Sequence, residues 1–139
     1  MICLSINYKN APSDVRSRFS FDIDKRREFR EKLGNSVILC TCNRTELYFT
    51  GADPEYAVEL LSRYSGIADI TGFLRIYAGD TAERHLFRVA CGIDSMLVGE
   101  DEILRQVKDA YAEASAAGRT DFELNTVFQA ALTCAKRVK

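Results

Sequence analysis

Two short apolar runs, Val37 to Cys42 and Glu46 to Thr50, stand on either side of a short polar bend, and this pair constrains the fold more than any other feature. Both runs have strand character, and Asn43 suits the bend because it tolerates a left-handed backbone. Before them, Ile2 to Tyr8 alternates apolar with small or polar residues, a third strand. Lys9 to Ser13 is a turn in which Pro12 bars regular pairing. Asp22 or Asp24 can cap a helix that runs to about Leu33 and stops at Gly34. After the pair, Pro54 can open a helix through Tyr64, followed by Gly66, and Phe73 to Tyr77 is a fourth strand. Strand, helix, strand, strand, helix, strand is the order of a ferredoxin-like split βαβ sandwich. The expected class is therefore α+β, an antiparallel sheet with helices on one face, over residues 1–80.

Residues 81–139 read as helix throughout. Asp80 with Glu83 makes a capping-box-like start for a helix to about Cys91, closed by Gly92. Ile93 to Gly99 is a connector, and a longer helix follows from about Glu100 to Ala117. Ile103, Leu104, Val107, Ala110, Tyr111 and Ala114 form its apolar stripe. Asp121 caps a last helix with Leu124, Val127, Phe128, Ala131 and Ala135 on its core side. That helix reaches Lys139 with no stop signal, so the expectation is a fragment of a longer protein.

Composition removes several function classes. The formal charge is −1, so nothing global marks a nucleic-acid or membrane binder. Asp24 to Lys32 is rich in Lys and Arg, but acids interleave it, the pattern of a solvated helix face. No run of about 20 apolar residues is present, and no secretory signal opens the chain. A cytoplasmic location is expected, where thiols stay reduced. The five cysteines, Cys3, Cys40, Cys42, Cys91 and Cys134, have no disulfide-framework spacing. With no C-x-x-C and His85 as the only histidine, no metal site is expected.

Cys42 ends a strand, with Arg44 two residues on and Glu46 four on. A thiol there can reach the sheet edge, and a nearby guanidinium favours the nucleophilic thiolate. The competing reading is a small buried hydrophobe, the commoner fate of a free cysteine. Cys40 is expected to be the more buried of the two. Arg44 and Glu46 read either as a surface ion pair or, for Arg44, as a fork for a substrate carboxylate. His85 lies in a helix and reads as a core histidine or as a proton shuttle. Ser95, Glu100, Glu102 and Gln106 surround the start of the long helix, where carboxylates ordinarily serve the helix dipole.

Thr41-Cys42-Asn43-Arg44-Thr45-Glu46-Leu47-Tyr48 resembles the signature of glutamyl-tRNA reductases. His85 to Ala90, then Gly92 to Glu100, resembles that family's second signature, and Ile103, Leu104 and Gln106 to Lys108 continue it in register. The resemblance spans nearly the whole chain and implies the family's catalytic domain. It implies reduction of glutamate esterified to tRNA to glutamate-1-semialdehyde with NADPH, in tetrapyrrole synthesis. It implies Cys42 as nucleophile and acyl carrier, and matches His85 to an activity-critical histidine. It assigns Thr41, Cys42, Asn43, Arg44, Ser95, Glu100, Asp101, Glu102 and Gln106 to substrate binding, with Arg44 as carboxylate clamp. The implied partners are glutamyl-tRNA, an NADPH-binding domain, a dimer partner and a downstream aminomutase, with no metal, haem or flavin and no membrane.

The sequence differs from the family pattern at several positions. Asp101 and Glu102 stand where proline and glutamine are common, Cys91 where serine is, Arg105 where glycine is, and Tyr8 where histidine is usual. No G-x-G-x-x-G occurs, so the NADPH domain is expected outside this chain, which alone would form the thioester without reducing it. An alternative is an RNA-binding or interaction module on the same fold with structural cysteines. Its RNA-binding form needs exposed aromatics on central strands, and Tyr48-Phe49 is the nearest approach.

Overall fold

A computed structural model describes residues 1–95 and 102–138. Four strands, β1 (Ile2–Asn7), β2 (Ser36–Cys40), β3 (Arg44–Phe49) and β4 (Arg75–Ala78), form one antiparallel sheet in the order β2-β3-β1-β4. Helices α2 (Ile23–Leu33) and α3 (Pro54–Ser65) make the two crossovers of the split βαβ sandwich. A short helix, α1 (Ser13–Arg16), and a 3₁₀ turn over Ser17–Phe19 precede α2. The sequence pattern does not announce these two turns, since only Phe19 is buried in them.

Alternation sends successive strand residues to opposite faces. Leu4, Ile6, Ile38, Leu47 and Phe49 face α2 and α3, packing with Phe19, Phe29, Leu60 and Leu61. Cys3, Val37, Leu39 and Tyr48 face the other way, where α4 (Asp80–Ala90), α5 (Glu102–Ala116) and α6 (Phe122–Val138) cover them. The sandwich helices thus lie on one face, and the helical extension closes the second.

Local signals account for most element ends. The Asp22 carboxylate accepts from the Lys25 amide, and Asp121 accepts from the Leu124 amide, each capping a helix. Gly66 closes α3 at φ +75°, in the left-handed region. Asp80 does not act as the expected cap: Gly79, at φ +58°, takes that position, and the Thr81 hydroxyl instead bonds the Ala78 backbone. The fourth strand begins at Arg75, two residues later than its apolar run suggests. The basic stretch of α2 is only partly a solvated face. Arg26 and Arg30 reach across to Glu113 of α5, with Arg30 buried.

Candidate active site

The strand register builds a polar cluster on the extension-covered face. Pairing places Asn7 opposite Arg44, Ser5 opposite Glu46 and Cys3 opposite Tyr48. Glu46 sits at its centre with no exposed surface. Its Oε2 accepts from the Ser5 hydroxyl at 2.6 Å and from Arg44 Nη1 at 3.1 Å, and lies 2.6 Å from His85 Nε2. Its Oε1 accepts from the Tyr48 hydroxyl at 2.6 Å. Burial by itself would raise the Glu46 pKa. The hydrogen bond and field of His85, with Arg44 and Ser5, outweigh it and bring the value down to about 2. Asn7 extends the cluster by donating to Ser5 at 2.9 Å, and Tyr77 stacks on the His85 ring at 4.2 Å between centroids.

Arg44 and Glu46 are therefore a buried pair, not a surface one. Arg44 is 2 % exposed. Besides Glu46, its guanidinium donates to the Asp94 backbone carbonyl and lies 3.6 Å from the Asp94 carboxylate, which Lys9 also bonds. Both Nη atoms are committed to protein oxygens, so a substrate carboxylate would have to share the fork.

Cys42 lies in the hairpin turn. Strand β2 ends at Cys40 and β3 begins at Arg44, which leaves Thr41, Cys42 and Asn43 as the loop. The Thr41 hydroxyl accepts from the amides of Asn43 and Arg44, both at 3.2 Å, and the Thr41 amide donates to the Arg44 carbonyl at 2.8 Å. Arg16 Nε donates to the Cys42 carbonyl at 3.3 Å. The turn is fixed at its backbone while the thiol side chain stays exposed. Cys40, on the α2 side of the sheet, is half-buried, and burial raises its thiol pKa.

A cleft of about 70 Å³ brings together Thr41, Cys42, Asn43, Arg44, Ser95, Glu102, Ile103 and Gln106. Of the residues singled out in the sequence, Glu100 and Asp101 lie outside the described residues. His85 does not line this cleft; it borders a neighbouring cavity and connects to the cleft through Glu46 and Arg44. Sequence reasoning missed Ser5, Asn7, Asp94 and Arg16. Ser5 and Asn7 carried a usable signal, two polar residues on alternate positions of an otherwise apolar strand.

Cys3, Glu46 and His85 offer ligand atoms within 4.8 Å of one another. The donor chemistry favours a hydrogen-bond network over a cation cage. Both Glu46 oxygens are already used, the Arg44 guanidinium is adjacent, and burial with the Glu46 charge holds the Cys3 thiol well above its usual pKa.

The fold and cleft define a ferredoxin-like α+β domain with an accessible cysteine on a fixed turn. The family model described as the glutamyl-tRNAGlu reductase N-terminal domain matches residues 4–139. Glutamyl-tRNA reductase of Shewanella sp. (strain W3-18-1) is 39% identical over 147 residues, covering 100% of this chain and 35% of that protein. The Shewanella oneidensis protein of the same name is 38% identical over the same span. The structure of glutamyl-tRNA reductase from Methanopyrus kandleri superposes with a TM-score of 0.83 at 38% identity, covering 99% of this chain and 33% of that one. The chain belongs to the glutamyl-tRNA reductase family, as its N-terminal domain, and spans about a third of the length of these relatives.

Proposed function

We propose that this domain captures the glutamyl group of glutamyl-tRNA on Cys42, as the first half of the formation of glutamate-1-semialdehyde for tetrapyrrole synthesis. The observation that carries the reading is the exposed thiol on a backbone-fixed turn, facing a cleft lined by hydroxyl, amide and carboxylate groups. The Cys42 sulfur attacks the ester carbonyl, a carbon–sulfur bond forms, and the carbon–oxygen bond to the ribose breaks. The departing ribose oxygen takes up a proton, and glutamate remains as a thioester. A thiolate is the strongest neutral-pH nucleophile among the side chains present, and a thioester accepts hydride more readily than an oxygen ester.

Within the cleft, Thr41, Asn43, Ser95 and Gln106 supply hydrogen bonds for the amino acid, and Arg44 supplies a fixed positive charge. Glu102, exposed at the start of α5, can meet the substrate ammonium; Glu100 and Asp101 belong to the same proposed substrate set. His85 acts at one remove, holding Glu46 and through it Arg44. NADPH, when bound, supplies the hydride that releases the aldehyde. The sequence holds no dinucleotide fingerprint and the described strands pair antiparallel, which supports placing its cradle outside these residues. That role, dimerisation and delivery of the product to an aminomutase are assigned to the longer protein. The cysteines have no disulfide-framework spacing, which supports a reducing, cytoplasmic setting.

The RNA-binding alternative loses its platform. Tyr48 and Phe49 are both fully buried, one under each layer of helices. The decisive experiment incubates the chain with charged tRNA and reads the intact mass. A glutamyl adduct confined to the Cys42 peptide and lost in Cys42→Ser is expected. An adduct that persists in Cys42→Ser would overturn the assignment.

A further inference from the structure

A cavity of about 710 Å³ shares a wall with the thiol cleft. Asp94 lines the cavity while the next residue, Ser95, lines the cleft, and Arg44 of the cleft donates to the Asp94 carbonyl. Among the described residues, Lys9, Arg75, Arg84 and Arg88 line the cavity against one carboxylate, Asp94. This local excess of three positive charges stands in a chain whose overall formal charge is −1. The Asp94 carboxylate is already shared between Lys9, at 2.5 Å, and the buried Arg44.

Among the described residues, five arginines outside this cavity and the Glu46 cluster are held by carboxylates, whereas Arg16, Arg18, Arg119 and Arg137 are not. Arg26 and Arg30 are tied to Glu113, Arg27 to Asp24, Arg63 to Glu59, and Arg105 to Glu102 and Asp109. Among the described residues, Arg75, Arg84 and Arg88 have no carboxylate within ion-pair distance. Asp80 and Glu83 border the adjoining groove without pairing to either helix arginine. Arg84 and Arg88 are four residues apart on α4 and share a face, while Arg75 approaches from β4. Exposed guanidinium groups without a carboxylate partner, Arg75 with one bond to the Leu74 carbonyl, come from a helix and a strand and suit phosphate oxygens, which they can grip by parallel N–H···O bonds.

We propose that this cavity binds phosphodiester groups of the RNA acceptor end, beside the ester that Cys42 attacks. The inference rests on the reading of Cys42 as acceptor of a tRNA-borne glutamyl group, because the nucleotides next to the ester must then lie just outside the thiol cleft. Contact is with the backbone, so binding is strongly salt-dependent and tolerant of base identity.

The test uses a fluorescent RNA hairpin carrying a single-stranded CCA end, with no amino acid attached, and follows binding by anisotropy over a salt series. Arg84→Ala/Arg88→Ala is expected to weaken binding about tenfold or more and to flatten the log–log salt slope by about 1.4, the value for two lost single-strand phosphate contacts. Arg84→Lys/Arg88→Lys keeps the charge and should retain most of the slope. Thermal melts matching wild type show that the alanine variant is folded. Equal affinity of wild type and the alanine variant, or displacement of the RNA by inorganic phosphate at equimolar concentration, would overturn the proposal. The adduct experiment on wild type is read separately. A Cys42 adduct with arginine-independent RNA binding defeats only the anion site, and arginine-dependent binding without an adduct defeats only the acyl-capture reading.

Discussion

The carboxylate of Glu46 lies 2.6 Å from Nε2 of His85, with Glu46 fully buried and His85 buried but for its edge on the neighbouring cavity. Because Glu46 is held ionised, the facing ring nitrogen carries its hydrogen and donates it. The same oxygen accepts from Arg44, so one buried carboxylate couples the sole histidine to the arginine of the thiol cleft. Removing it would leave the buried guanidinium with Asp94 as its one remaining carboxylate among the described residues.

Glu46 therefore sets an acid limit on stability. Its folded pKa, about 2, lies below the ordinary value of 4.5. The stabilisation is fully present above pH 4.5 and is lost as pH falls toward 2. The shift corresponds to about 3 kcal/mol. Glu46→Gln is expected to be less stable at pH 7 by about 3 kcal/mol and to show a flatter profile between pH 5 and 2. Urea midpoints of both proteins across this range provide the measurement; parallel profiles would contradict the coupling.

Thiol reactivity should separate the cysteines. Cys42 is exposed, whereas burial raises the thiol pKa of Cys3 and of Cys40 and so lowers their thiolate fractions. Iodoacetamide at pH 7.5 is expected to modify Cys42 ahead of Cys3 and Cys40, as read by peptide mass against time. The fast phase should vanish in Cys42→Ala. Initial labelling at Cys3 would contradict the packing of the polar cluster.

Thr41 should matter through geometry. Its hydroxyl holds two amides of the turn that carries Cys42. Thr41→Val keeps the shape and removes both bonds, at a cost of about 1 kcal/mol. Adduct formation with charged tRNA should slow about tenfold, since a loosened turn misplaces the sulfur. Thr41→Ser should restore both stability and rate. A Val variant with an unchanged rate would show that the turn needs no such brace.

Much of this was legible in the sequence because its signals are local. Alternation placed the strands, and side-chain caps such as Asp22 and Asp121 acted where they stood. Cys42 was readable as accessible in one of two readings; the sequence runs the strand to Cys42, whereas β2 ends at Cys40 and leaves Cys42 in the turn. Asp80 misled because Gly79, with its positive φ, occupies the cap position. Glu46 reads as an exposed strand residue until α4 is laid over it. That covering depends on packing between segments some 40 residues apart (the His85 contact spans 39), which no local pattern encodes. Arg26 and Arg30 misled for the same reason: their partner, Glu113, is 87 and 83 residues away.

That distant contact supports the last prediction. Glu113 accepts from Arg26 through both oxygens, at 2.9 and 2.8 Å, and from Arg30 at 2.7 Å, tying α2 to α5 across the edge strand β2. The Arg26 hydrogen bond is the main cause of its lowered pKa. Arg30 is buried, and its Nε has no partner among the described residues. Glu113→Ala removes the only carboxylate paired with Arg30 there, so its charge is left uncompensated. A loss of about 2 kcal/mol is expected, moderated because Glu113 and Arg26 are partly solvated. Glu113→Gln should recover part of it by keeping an acceptor. Urea unfolding at pH 7 gives both numbers, and an alanine variant as stable as wild type would show that this tie contributes nothing to holding α5 on the sheet.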